Sequence, residues 1–308
     1  MQYLKITLIT LLVVLNVVLT PVNAKNDQKV AVDRHRSALI SEGAVLVAGY
    51  NENNIFGNII SNLYGFVEYG QFDNAISIAM QGGRLAVLTN NGRLSLQGVE
   101  FEYMTLIAND VIDFALSSRY LLILHDSGVL TRIALEQAPA SVLSSPPPTT
   151  AIHLEGGENN IALITESGLL YLDDRFVADN VDMFAVGQSA TLYKTRLGKV
   201  YLLDNISLVS TQLAFGTDIV NLSVGAEYLY IHYQDGRVLA KDTRNNSKLT
   251  AMKQLWGLES IQASNTHALA RKGADVYAWG QNHFGQFGQL TKPYVDIERM
   301  TYTATLVE

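Results

Sequence analysis

One spacing recurs along this chain and restricts what it can fold into: an apolar residue followed, 14 positions later, by a glycine in turn-forming company. It joins Ile78 to Gly92, Phe114 to Gly128, Leu154 to Gly168, Phe184 to Gly198 and Leu222 to Gly236. The full set of turn glycines, Gly43, Gly92, Gly128, Gly168, Gly198, Gly236 and Gly273, is separated by 49, 36, 40, 30, 38 and 37 residues. Intervals of that size suit one small sheet per repeat, and self-similarity at such a period marks a repeat architecture.

The turns have hairpin chemistry, as in Asn91-Gly92, Ser127-Gly128, Ser167-Gly168 and Asp235-Gly236, where glycine supplies the positive φ that a tight reversal needs. An apolar residue follows two positions later (Val45, Leu94, Leu130, Leu170, Val200, Val238), and runs such as Leu85-Ala86-Val87-Leu88 and Leu121-Leu122-Ile123-Leu124 precede. These runs are short and bounded by turn residues, which reads as strand. A lone three-stranded sheet cannot cover both of its faces, but sheets stacked radially around a channel cover one another. The expected fold is therefore all-β, a seven-bladed β-propeller; a sandwich or β-helix is the alternative, with less reason to keep one register through seven copies. The alternating tail from Met300 to Leu306 is expected to close the ring by pairing with blade 1 beside Val30-Ala31-Val32.

The seventh unit carries a motif. Val276-Tyr277-Ala278-Trp279-Gly280-Gln281-Asn282-His283-Phe284-Gly285-Gln286-Phe287-Gly288 resembles the repeat signature of the regulator-of-chromosome-condensation family, V-Y-x-W-G-x-N-x-x-G-Q-L-G, with Phe287 in place of Leu. A weaker copy lies in unit 1, where Val45 to Asn51 is followed by Phe56-Gly57-Asn58; units 2 to 6 keep the hairpin but lack the Trp-Gly and the glycine-rich elbow. The resemblance implies a seven-bladed propeller in which Trp279, Gly280, Asn282, Gly285 and Gly288 hold the repeat together. It also implies a protein-binding scaffold that contacts its partner through loops on one face, as an inhibitor or regulator. Similar repeats occur in a nuclear exchange factor and in a bacterial secreted inhibitor of β-lactamases.

The N-terminus reads as a leader. Lys5 precedes an apolar stretch from Ile6 to Thr20, Pro21 breaks it, and Val22-Asn23-Ala24 offers a cleavage site. The stretch falls short of the ~20 residues a bilayer core requires, so the expected organisation is a cleaved signal peptide over 1–24 and a single propeller domain over 25–308, secreted or periplasmic, without stable membrane insertion. An uncleaved anchor helix is the alternative. Cysteine is absent, so neither disulfides nor thiolate ligands contribute. Losing Lys5 leaves 21 basic against 29 acidic residues, a net charge of about −8, and a phosphate backbone is repelled by such a field unless a basic face is set apart. No Lys/Arg run forms one; Arg34-His35-Arg36 is the closest. Nucleic acid is not an expected partner.

Catalytic signatures are missing: no G-x-S-x-G elbow, phosphate-cradling loop or aspartate-rich calcium loop occurs. The six histidines show no metal-ligand spacing, and Asp173-Asp174 on a strand would diverge to opposite faces. No catalytic residue, metal or cofactor is expected. Residues 139–150 hold four of the six prolines and read as an inter-blade connection. The longest interval contains Tyr50, Tyr64, Phe66, Tyr69 and Phe72 among glycines and asparagines, a composition favoured in binding surfaces; these five are the candidate binding residues. The expected function is an exported, monomeric, non-catalytic scaffold for a protein partner. An enzyme with its active site at the propeller channel is the alternative.

Overall fold

The computed structural model describes residues 29–51, 55–56, 62–70, 72, 74–98, 101–135, 150–243, 247–273, 275–288, 294–299 and 305–306. The leader and the proline-rich segment lie outside them, apart from Thr150.

The described strands form seven sheets, each a blade running outward from the axis in chain order. Blade 1 holds β1 (Val30–Asp33), β2 (Arg36–Ser41), β3 (Ala44–Gly49) and β4 (Leu63–Glu68). Blade 2 holds β5 (Ala75–Gln81), β6 (Arg84–Thr89), β7 (Leu94–Gly98) and β8 (Phe101–Ala108). Blade 3 holds β9 (Val111–Leu116), β10 (Tyr120–His125) and β11 (Leu130–Ala134). Blade 4 holds β12 (Ala151–Gly156), β13 (Ile161–Thr165), β14 (Leu170–Leu172) and β15 (Arg175–Ala178). Blade 5 holds β16 (Val181–Val186), β17 (Ala190–Thr195), β18 (Lys199–Asp204) and β19 (Ser210–Phe215). Blade 6 holds β20 (Ile219–Val224), β21 (Tyr228–Tyr233), β22 (Val238–Asp242) and β23 (Thr250–Ala251). Blade 7 holds β24 (Ser260–Ala263), β25 (His267–Lys272), β26 (Asp275–Gln281) and β27 (Tyr294–Arg299). A last strand, β28 (Thr305–Leu306), joins blade 1.

Second strands read as unbroken apolar runs because both of their faces are covered. All six residues of β6 and all five of β13 are buried, whereas β19 at the rim exposes four of six. Seven apolar clusters separate the seven blades. An open row of sheets would have one fewer; here Val30, Leu39 and Phe66 of blade 1 pack against Leu269, Val276 and Phe287 of blade 7. The ring is closed, and each burial of a Leu, Val or Phe side chain across these seams contributes about 1.5–3 kcal/mol.

The tail reaches blade 1 but not the expected strand. β28 pairs in parallel with β4, Thr305 opposite Val67 and Leu306 opposite Glu68, at the rim of the blade instead of beside β1. The reason is steric: β1 lies at the axis, packed against β5 and β25, while β4 offers a free outer edge.

The turn glycines do more than reverse the chain. The carbonyls of Gly43, Gly92, Gly168, Gly198 and Gly236 accept hydrogen bonds at 2.8–3.0 Å from the backbone N–H of Ala75, Val111, Val181, Gly216 and Gly257, where the chain enters the following blade. All these glycines, with Gly128 and Gly273, have φ between 59° and 85°.

Candidate functional site

The turns joining first to second strands gather at one end of the axis. There Arg34 of blade 1 reaches Glu158 of blade 4 (Nη2 to Oε1, 3.2 Å), and Asn265 of blade 7 donates to the other carboxylate oxygen at 2.7 Å. This bridge spans the channel mouth and leaves a hollow of about 30 Å³, room for one or two waters.

Below it lies a buried titratable group. Asp113 of blade 3 accepts from the Leu154 N–H at 2.7 Å and from His153 Nδ1 at 3.0 Å, and Glu155 accepts from the Val186 N–H at 3.1 Å. Each carboxylate thus satisfies a backbone donor on the free inner edge of the following blade. Burial pushes Glu155 up to about 7, against the pull of His153 and the Val186 amide. For His153, burial works to lower the pKa, but the hydrogen bond and charge of Asp113 outweigh it and raise the value. These groups are committed to holding blades together. Among the described residues no set of three or more His, Asp or Glu is placed to hold a metal ion.

The same end carries an aromatic strip over blades 6, 7 and 1. In blade 6, Tyr228 and Tyr230 share a face of β21 because strand residues two apart do so, with ring centroids 6.4 Å apart. Trp279 of blade 7 donates its indole N–H to the Tyr230 hydroxyl at 3.2 Å, and their rings meet edge to face at 5.9 Å. These rings line a groove of about 170 Å³ between blades 6 and 7. The strip continues through Phe284, whose ring lies 4.6 Å from His35 and 4.8 Å from Tyr50, and Arg36 sits over the Tyr50 ring at 5.6 Å.

An elbow places these side chains. Gly280 has φ 107°, and a Cβ there would stand 2.5 Å from the Thr266 carbonyl oxygen, so only glycine fits. The chain then curls around Asn282, whose Oδ1 accepts the Phe287 N–H at 3.0 Å, and the Phe284 N–H donates to Gln286 Oε1 at 2.9 Å. Blade 1 repeats the device: Gly49 has φ 105°, Asn51 Oδ1 accepts the Phe56 N–H at 3.0 Å, and the Tyr50 N–H donates to His35 as Gln281 does to Thr266. Gly285 and Gly288 also have positive φ and lie against the rings of Tyr64 and Phe66.

The five candidate binding residues do not form one surface. Tyr50 and Tyr64 lie in or beside the strip, with Tyr64 45% exposed. Phe66 is 2% exposed in the seam between blades 7 and 1, which removes it from the candidate surface. Tyr69 and Phe72 pack on the seam between blades 1 and 2 at the opposite end of the ring, where Phe72 lines a hollow with Arg93 and Met104. Burial raises the Tyr69 hydroxyl to about 12. At ~3.3 Å per residue, Tyr64 to Tyr69 runs the length of a blade, so neighbours in sequence become opposite ends in space. Asp173 and Asp174 sit in a turn with positive φ; the first accepts from Ile161 N–H and the second pairs with Arg132. The reading from sequence missed His35, Tyr228 and Tyr230 and took Trp279 as purely structural; the i, i+2 spacing of the two tyrosines was the available signal.

No protein-family model and no curated protein matches this chain. Solved structures do resemble it. Prp20p of Saccharomyces cerevisiae, the yeast RCC1, has a TM-score of 0.71 at 13% identity, covering 90% of this chain and 87% of its own. PorZ of Porphyromonas gingivalis has a TM-score of 0.56 at 13% identity, covering 83% of this chain and 37% of its own. The fold is a seven-bladed propeller of the regulator-of-chromosome-condensation type.

Proposed function

We propose that this chain is an exported, non-catalytic scaffold that binds a protein partner through the aromatic strip over blades 6, 7 and 1. One observation carries the reading: two aromatic groups, Tyr228 with Tyr230 and Trp279, and Phe284 with His35 and Tyr50 beside Tyr64, lie at one end of the ring on elbows and strands whose backbone is hydrogen-bonded in place. Aromatic side chains on a rigid backbone lose little entropy on binding and supply most of the energy in protein interfaces. Prp20p, which shares the fold, is described for its binding to Gsp1p and histones, which supports a binding role, and PorZ is a bacterial surface component of a secretion system. The lysine and short apolar run at the N-terminus support passage through an export pathway and a secreted or periplasmic destination.

The test is affinity capture from the native extracellular and periplasmic fractions with the wild-type chain and with a Tyr64→Ala/Phe284→Ala variant. The reading expects a protein retained by the first at least tenfold more than by the second, as the loss of two interface aromatics at more than about 1 kcal/mol each requires. Equal retention by both would remove the strip as the binding surface, and N-terminal sequencing of the mature protein that begins at Met1 would remove the leader.

A further inference from the structure

We propose that the groove between blades 6 and 7 receives one basic side chain, lysine or arginine, presented by the partner; this rests on the protein-binding reading of the strip. The groove of about 170 Å³ is of the order that holds a benzene-sized group, so it takes one side chain and no more. Its walls are Tyr228 and the half-buried Trp279, with Tyr230 buried between them. The Tyr228 and Tyr230 rings are inclined by 32° and those of Tyr230 and Trp279 by 78°. Rings meeting at such angles make a box, unlike the flat platform that stacks a planar or sugar ring. The negative faces of Tyr and Trp rings attract an ammonium or guanidinium held within ~6 Å.

The rim agrees in sign. Glu227 contributes a carboxylate and Gln281 and Thr266 contribute hydrogen-bonding groups, while no lysine or arginine is among the described lining residues. His267 forms the base, its ring nitrogens 2.9–3.2 Å from the hydroxyls of Ser37, Ser264 and Thr266, and burial drives its pKa down to about 3. It therefore brings no positive charge at neutral pH. The hollow at the opposite end of the ring, beside Phe72, has Arg93 in its wall and is unsuited to a cation, so the preference belongs to this groove and not to aromatic hollows of the molecule in general.

The experiment follows the Trp279 indole N–H resonance in the full mature chain, told apart from Trp256 by a Trp256→Phe variant. Nα-acetyl-arginine amide and Nα-acetyl-lysine amide are titrated against Nα-acetyl-citrulline amide, the neutral isostere of arginine. The groove reading expects a saturable shift at Trp279 with the basic probes binding about tenfold tighter than citrulline, the size of a desolvated cation–π contact. Tyr228→Ala and Glu227→Gln, both at exposed positions, are each expected to reduce that ratio without altering the remainder of the spectrum. Equal binding of arginine and citrulline, or no movement of the Trp279 resonance, overturns the proposal. Neither of those outcomes touches the capture result for Tyr64→Ala/Phe284→Ala, so loss of the groove and loss of the binding strip are separately visible.

Discussion

Blades 2 to 6 and the closing pair, blades 7 and 1, keep the same strands in line by different means. In the five inner blades the first strand carries a bulge against the second, at Ile76, Ile112, Ile152, Asp182 and Val220, and the residue before that strand takes the N–H of the hairpin turn. Those acceptors are Asn74, Asp110, Thr150, Asn180 and Asp218. The closing pair pairs its first two strands without a shift and uses the Gly-x-Asn elbow at Gly49 and Gly280 instead. A ring grows by local hairpins but must be joined once by elements distant in sequence. The blade 7 elbow sits at that joint, with Phe287 packed against Phe66 in the closing seam, and the blade 1 elbow places Phe56 in the seam with blade 2.

Substitution of the elbow glycines tests this difference most severely. Gly280→Ala would press a methyl against the Thr266 carbonyl in a left-handed conformation, and Gly49→Ala would do the same at His35. We expect each to cost about 4 kcal/mol, read as a lower urea midpoint. Gly128→Ala, in a hairpin turn with open space around the new methyl, is expected to cost about 1 kcal/mol for its positive φ alone. A cost at Gly128 equal to that at Gly280 would erase the distinction between turn and elbow.

Two buried histidines differ next in their hydrogen bonding. His267 in the closing pair is satisfied by hydroxyls, whereas His232 in blade 6 has both ring nitrogens without a hydrogen bond. Burial lowers the His232 pKa to about 4, opposed only by a weak contact with the Leu258 backbone. Unfolded histidine takes up its proton near pH 6.5, so between that value and the folded pKa the unfolded state binds more protons and stability falls as pH falls. From pH 7 to pH 5 the wild type should therefore lose about 2 kcal/mol more than His232→Phe, measured as paired denaturant melts. At pH 7 His232→Phe should be as stable as the wild type or more so, because it removes unpaired buried polar atoms, while His267→Phe should be destabilised. The opposite ranking would deny the contrast.

Asn282→Ala deletes the acceptor for the Phe287 N–H and leaves a buried donor unpaired, for an expected loss of about 2 kcal/mol; Asn51→Ala should match it. Unequal losses would show that the two elbows are not equivalent. Gly273→Ala is expected to have the smallest effect, under about 1 kcal/mol, since nothing lies within 4 Å of the added methyl at that outer turn.

Much of the fold was legible because its signals are local. The distance from Phe114 to Gly128 is one strand, one turn and half another, and the chain cannot make that hairpin in another register. A second signal went unread: Asn74, Asp110, Thr150, Asn180 and Asp218 each stand 18 residues before their turn glycine, and four of the five have positive φ. The rim strands were not legible. Ser210–Phe215 shows no buried periodicity, with four of its six residues exposed. The binding segment was half legible: its aromatics were visible, but their assignment to the strip, the seam or the opposite end follows from strand direction within a blade.

By itself the sequence determined the hairpin register, the repeat period and the positions of the turn glycines, because these depend on turns and hydrogen bonds within about 18 residues. Tertiary structure alone decided which side chains meet. Arg34 and Glu158, or Tyr50 and Phe284, are separated by more than a hundred residues and come together only through closure of the ring. Closure depends on the summed tilt of seven packed sheets, a quantity carried by the seams between blades and written in no single repeat.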